Sequence, residues 1–161
     1  MEQQNTDFYT LNIKGLYKWQ LRMYNEQLPL VGRLEAWSVR TLPEFKGHVP
    51  TSIVDMVEAE TEELFKTILP AFNDCMKNLS PIYTHPNLLI MCNKVPLLHA
   101  HIAPRYEHNK PTEIFGYTCV DPGGDPNLVT TSRMSDTKMK DLKGNLENGY
   151  RDWETDRKSV V

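Results

Sequence analysis

Residues 19–24 alternate, with Leu21 and Met23 set between Gln20, Arg22 and Tyr24, the period-two pattern of a strand with one face on a core. The polar stretch Asn25-Glu26-Gln27 is turn-like, and a second strand is predicted from about Leu30 to Val39. Gly32 within it marks a tight turn or a close backbone approach. Two strands joined by so short a polar link predict an antiparallel hairpin. From Thr51 to Leu79 the period changes. Ile53, Met56, Val57, Leu64, Ile68, Phe72 and Met76 recur at three- and four-residue steps, which predicts a helix with one apolar stripe. Ser52 and Asp55 form its start signal, a capping box with Asp in the usual place of Glu or Gln. Glu58, Glu60, Glu62 and Glu63 crowd the first half, where negative charge suits the positive helix end, and read as a solvated face. Pro70 is expected to kink or split the helix.

The apolar run Asn87–Cys92, bounded by His85-Pro86 and Asn93-Lys94, predicts a buried strand, and Leu98–Ala103 its hairpin partner. After Pro104 the chain is expected to turn and becomes polar, with a loop at Asp121-Pro122-Gly123-Gly124-Asp125-Pro126. Asp136–Asn148 predicts a short closing helix, and no internal repeat is visible. These elements define an α+β domain: an antiparallel sheet of about five strands built from hairpins, packed with one long helix and a short C-terminal helix.

Composition narrows the class. The 161 residues suit one domain, and 40% hydrophobic with 24% charged residues is ordinary for a globular protein. A net charge of -3 gives no general attraction to nucleic acid or anionic membrane, so neither partner is expected, and an anionic ligand needs a local site. Three cysteines, Cys75, Cys92 and Cys119, at irregular spacing read as reduced core thiols and suit a reducing compartment. No apolar run approaches the roughly 18 residues of a bilayer span, and Met1–Asp7 does not read as a signal peptide, so a cytoplasmic location is expected.

Candidate chemistry lies on the last predicted hairpin. Residues two apart on a strand share a face at roughly 6.5–7 Å, which places Leu97, His99 and His101 together and sends Leu98, Ala100 and Ile102 to the core. Two adjacent imidazoles on an open face admit three readings. They are metal ligands with Glu107 or His108 as a third, a phosphate-handling pair of nucleophile and proton donor, or two surface histidines without a role.

The surrounding stretch favours the second reading. Asn87 opening the strand, Asn93 at the hairpin, Val95-Pro96 before the histidines and Pro104-Arg105-Tyr106 after them resemble the signature of histidine-triad (HIT) proteins. The resemblance is to the branch of diadenosine-polyphosphate hydrolases. Trp19–Asn25 with Leu30–Leu34 is similar to that family's first hairpin, and Phe115-Gly116-Tyr117 and Asp121-Pro122 to its downstream segment. Coverage is roughly residues 16–130. The triad reads His-φ-His-φ-His, and Leu97 stands at its first position.

The resemblance implies His99 as the nucleophile and His101 as the histidine that binds phosphate and assists the leaving group. It also implies Asn25, Asn93, Asn87 and Arg105 as candidate substrate-binding residues, a homodimer, and no metal or other cofactor. The implied ligand is a nucleotide or dinucleoside polyphosphate, cleaved at the α-phosphorus through a nucleotidyl-histidine intermediate. The alternative is a nucleotide-binding module whose catalysis is reduced or lost through Leu97. In the family the nucleophile's second ring nitrogen is held by the backbone carbonyl of the first triad position, which Leu97 retains, so impairment is expected more than loss. By position, residues 1–15 are an N-terminal extension and 16–150 the domain. Residues 151–161 match no part of the resemblance, Asp156–Val161 reads as the translation of one frame of a sequencing adapter, and the segment is expected to replace the native C-terminus.

Overall fold

A computed structural model of the chain describes residues 8–159. Four strands, β1 (Trp19–Met23), β2 (Leu34–Ser38), β3 (Tyr83–Leu89) and β4 (His99–Tyr106), form one antiparallel sheet in the order β1-β2-β4-β3. A second hairpin, β5 (Thr112–Ile114) with β6 (Tyr117–Cys119), stands as its own two-stranded sheet. Helices α1 (Glu58–Glu63) and α2 (Leu69–Leu79) are joined through the π-helical segment Leu64–Ile68, and α3 spans Asp136–Ser159. The fold is α+β.

The register sorts the strand residues onto two faces. Leu21, Ala36 and Ala100 align across the sheet, as do Met23, Leu34, Ile102 and Leu88. This face packs on Leu64, Ile68, Phe72 and Met76 of the long helix and on Met139, Leu142, Leu146 and Tyr150 of α3. The core is therefore the sheet face covered by two helices, and the other face carries Arg22, Glu35 and His101 in one row and Gln20, Trp37 and His99 in another.

Several predicted boundaries move, each for a physical reason. The second strand starts at Leu34 and not near Leu30, because Gly32 takes φ 113° in a turn. A Cβ there would lie 2.6 Å from Met76 Sδ, so the turn and the close approach expected of Gly32 coincide. The helix begins at Glu58, after a separate 3₁₀ turn at Ile53–Asp55 that Ser52 caps through the Val54 N–H. Ile53 and Val57 consequently lie outside the buried stripe, 54% and 45% exposed. Pro70 neither breaks the rod nor leaves it regular: Leu69 N–H bonds Leu64 O five residues back, and this wide turn absorbs the missing N–H.

The acidic cluster is not a uniform solvated face. Glu60 is buried and accepts from Ser38 Oγ at 2.6 Å and from Arg40, while Glu63 accepts the N–H groups of Tyr17, Lys18 and Trp19. These carboxylates pin the start of the helix to both strands of the first hairpin. The third strand starts earlier than predicted and includes Pro86, which is tolerated because β3 is an edge strand. Pro104 does not end β4. Its pairing with β2 stops at Ile102, and opposite Pro104 on β3 stands Pro86, so no ladder bond is lost there. Helix α3 runs past the predicted Asn148, with Tyr150 buried and its hydroxyl donating to Ile68 O at 2.7 Å.

Candidate functional site

His99 opens β4, in register with Trp37 of β2. Its ring is 6% exposed as a residue and lies flat against the Trp37 indole, with centroids 4.2 Å apart and an 11° interplanar angle. His99 Nδ1 is 2.7 Å from Leu97 O. A carbonyl only accepts, so in the neutral imidazole Nδ1 carries the proton and Nε2 keeps its lone pair. The contact that the resemblance implied is made by the backbone, whatever side chain stands at position 97. That side chain itself is not on the strand. Leu97 precedes β4, its N–H bonded to Val95 O at 2.8 Å, so the expected continuous face Leu97–His99–His101 holds only for the two histidines.

His101 sits one step along the same face, its ring 5.0 Å from that of His99 and nearly perpendicular at 75°. Burial holds its imidazole below the ordinary value of 6.5, the charges of His99 and Arg33 act in the same direction, and Glu35 opposes them. Glu35 Oε2 is 3.9 Å from His101 Nδ1, too far for a hydrogen bond, and Nδ1 is buried with no partner. Glu35 Oε1 instead accepts from the Trp37 indole at 3.1 Å, and Arg22 lies over that indole at 5.3 Å. The pair of imidazoles is thus held between an aromatic wall and a carboxylate, with Arg22 and Arg33 close by.

The remaining sequence-predicted residues fall into two groups. Asn93 lies exposed in the β3–β4 loop and Asn25 exposed in the β1–β2 turn, so they flank the histidines from opposite ends of the strands. Neither side chain is hydrogen-bonded among the described residues. Asn87 and Arg105 are brought together, but with each other. Arg105, 7% exposed, donates Nη1 to Asn87 Oδ1 at 3.0 Å and to Gly124 O, and holds Asp121 bidentately at 2.7 and 2.9 Å. They line a cavity of about 300 Å³ with Asp121, Gly123 and Gly124. It lies four residues from His101 along β4, roughly 13 Å at strand spacing.

Four residues of the site escaped sequence reasoning: Glu35, Trp37, Arg33 and Gln27. The first two depend on the β2–β4 register, which no local pattern reveals. Gln27 reads as a turn residue but is 1% exposed. Its amide donates to Tyr24 O and Arg33 O and accepts from the N–H groups of Gly32 and Arg33, locking the turn that presents Arg33. As for the metal reading, no group of three or more His, Cys, Asp or Glu side chains converges among the described residues. No helix is long and apolar enough to cross a membrane.

The chain matches no protein-family model and no curated protein. Its architecture, however, is that of the histidine-triad proteins. It is similar to a histidine triad protein of Bradyrhizobium japonicum, with TM-score 0.59 and 16% identity over 89% of this chain and 92% of that one. It is similar to a histidine triad (HIT) protein of Sinorhizobium meliloti 1021, with TM-score 0.56 and 14% identity over 91% and 93% of the two chains. The third is a hypothetical histidine triad nucleotide-binding protein of Sulfolobus tokodaii strain7, with TM-score 0.57 and 12% identity over 94% and 90%. At such identities the likeness is one of fold.

Proposed function

We propose that the protein is a histidine-triad-type nucleotidyl hydrolase that cleaves a nucleoside phosphate or dinucleoside polyphosphate at the α-phosphorus. The observation that carries this reading is the His99 Nδ1 contact to Leu97 O at 2.7 Å, which leaves Nε2 as a free nucleophile beside a second imidazole 5.0 Å away. His99 Nε2 attacks phosphorus in line, the bond to the bridging oxygen breaks, and its electron pair departs with the leaving group. Water then hydrolyses the nucleotidyl-histidine and regenerates the free ring.

His101 assists departure. Its imidazole is neutral in the free protein, and the phosphate's negative charge favours its protonation on binding, so it becomes a donor where charge develops. Asn93 is close enough in the chain to add a donor from the loop, and Asn25 one from the opposite turn. Asn87 and Arg105 act by bracing the end of β4.

A second reading has its own support. The Trp37 ring covers one face of His99, and Leu97 supplies no imidazole, both of which suit a nucleotide-binding module with reduced turnover. One assay separates the readings: turnover of a panel of dinucleoside polyphosphates and nucleoside phosphoramidates, with nucleotide affinity measured in parallel. Hydrolysis that disappears in His99→Ala supports the enzyme. Binding without hydrolysis across the panel establishes the module. The protein is further proposed to act as a homodimer in the cytoplasm, without a metal.

A further inference from the structure

The flat contact between His99 and Trp37 differs from its neighbours. Their ring centroids are 4.2 Å apart at 11°, whereas His99–His101 meets at 75° and Tyr83–Tyr106 at 77°. The separation is shorter than the roughly 4.5–7 Å of ordinary aromatic pairs, which favour offset or edge contacts. A planar cation does lie flat on an indole face. Two neighbours of Trp37 fit the seat of a cation. Its Nε1–H donates to Glu35 Oε1 at 3.1 Å, and this charge-assisted bond pushes electron density into the ring. The Arg22 guanidinium already lies over the same indole, 5.3 Å from its centroid. His99 and Trp37 stand opposite each other in the β2–β4 register, so two paired strands hold the rings together.

The reaction puts a positive charge on the ring that faces this indole. His99 Nδ1 carries its proton towards Leu97 O at 2.7 Å. When Nε2 bonds to phosphorus, the bridging P–O bond breaks and its electron pair departs with the leaving group. Nδ1 keeps its proton, so the ring becomes an N-phosphoryl imidazolium. In the second step water attacks phosphorus and gives up a proton to solvent. The P–N electron pair returns to Nε2, and the ring is neutral again. The charge thus exists between the two steps. Among the described residues no ion pair involves His99, which leaves the Leu97 carbonyl and the Trp37 face to meet it.

We propose that Trp37 is a positioning residue for the covalent step: its indole holds the nucleotidylated His99 imidazolium face on and stabilises that intermediate. This rests on the nucleotidyl-hydrolase reading and adds a residue to it. The effect has opposite signs in the two steps. Charge grows on the ring as the adduct forms, so the indole speeds formation. Charge is lost as water cleaves the adduct, so the same contact slows hydrolysis, and nucleotidylated protein accumulates.

The test follows the adduct itself. Tryptophan carrying one, two or three ring fluorines, which drain the π face at nearly constant shape, is installed in place of Trp37. Each protein is mixed with diadenosine triphosphate and quenched in alkali, and the His99 adduct is followed as it forms and decays. A thermal melt of each free protein accompanies the series. Adduct formation slows and adduct decay quickens with each added fluorine, and the peak adduct fraction falls by about tenfold across the series. Trp37→Phe falls within the series and Trp37→Leu beyond it. Rates that fluorine does not move overturn the proposal. So do formation and decay that slow together, or changes that follow the melting temperature, which are the marks of a structural role. In those cases an adduct on His99 leaves the nucleotidyl-hydrolase reading standing. If the wild type forms no adduct, both fall.

Discussion

Asp121→Asn is the perturbation whose size the structure fixes best. The Asp121 carboxylate is 3% exposed and accepts four hydrogen bonds: Arg105 Nε at 2.9 Å and Nη2 at 2.7 Å, Tyr106 N at 3.0 Å and Gly123 N at 2.8 Å. Asparagine keeps the volume but replaces one oxygen with an NH₂ group facing donors, and leaves the Arg105 charge uncompensated. Breaking a buried pair from one side costs about 3–5 kcal/mol, a large part of the roughly 5–15 kcal/mol that hold a domain together. For a chain of this size that corresponds to a melting temperature lower by roughly 6–20 °C.

The same pair has an acid signature. Burial alone would raise the Asp121 pKa, but the Arg105 guanidinium and the two backbone N–H groups outweigh it, so the folded value lies below the ordinary 3.8. The pair's stabilisation is therefore complete above about 3.8 and is lost as pH falls through the lower folded value. Urea unfolding of wild type and Asp121→Asn at neutral pH and on the acid limb measures both effects, and the difference between them shrinks in acid. The double variant Asp121→Leu with Arg105→Met recovers most of the loss. A single-variant cost below about 1 kcal/mol, the scale of an exposed ion pair, would refute the buried clamp. An Arg105→Met protein that folds normally yet loses nucleotide affinity would return Arg105 to the ligand.

Three further outcomes are expected. The folded His101 pKa lies below 6.5, so the unfolded chain takes up more protons, and stability falls as pH drops from 6.5 towards the folded value. Glu35→Gln lowers that folded value further, as read by NMR titration of the imidazole; an unchanged or raised value would contradict the Glu35–His101 coupling. Leu97→His adds an imidazole near His99 and raises turnover by about 10², the low end of acid–base contributions, because the backbone carbonyl already fixes the tautomer. A stable variant with unchanged steady-state turnover would show that Leu97 does not limit the site. Gly32→Ala, at φ 113° with a Cβ 2.6 Å from Met76 Sδ, costs about 1–3 kcal/mol in a thermal melt; a neutral result would mean that the turn is not held as described.

What could be read from the chain divides along physical lines. Period-two and helical patterns are local, so the first hairpin, the long helix, the histidine strand and the core-facing set Leu98, Ala100 and Ile102 were legible. The Leu97 carbonyl contact to His99 was expected from the family resemblance alone, and it is made although the side chain differs because it depends on backbone. Non-local facts were hidden. Glu60 and Glu63 share a sequence run with the exposed Glu58 and Glu62, and only the packing of Ser38, Arg40 and the Tyr17–Trp19 backbone against the helix separates them. Trp37 and Glu35 alternate along β2 in a way that shows they share a face. That this face carries His99 and His101 follows from register alone. Arg33 looks like any arginine beside a glycine until its burial and its seat over the Tyr24 ring are seen.

The central claim is that His99 becomes covalently bonded to phosphorus. Wild-type protein is mixed with a dinucleoside polyphosphate, quenched in alkali during the first turnover, and peptide-mapped by mass spectrometry, with His99→Ala in parallel. The account predicts a nucleotidyl adduct on the His99 peptide that forms and decays at the rate of turnover, and a variant that binds nucleotide but turns over none. An adduct on another residue, or normal turnover in His99→Ala, would contradict it.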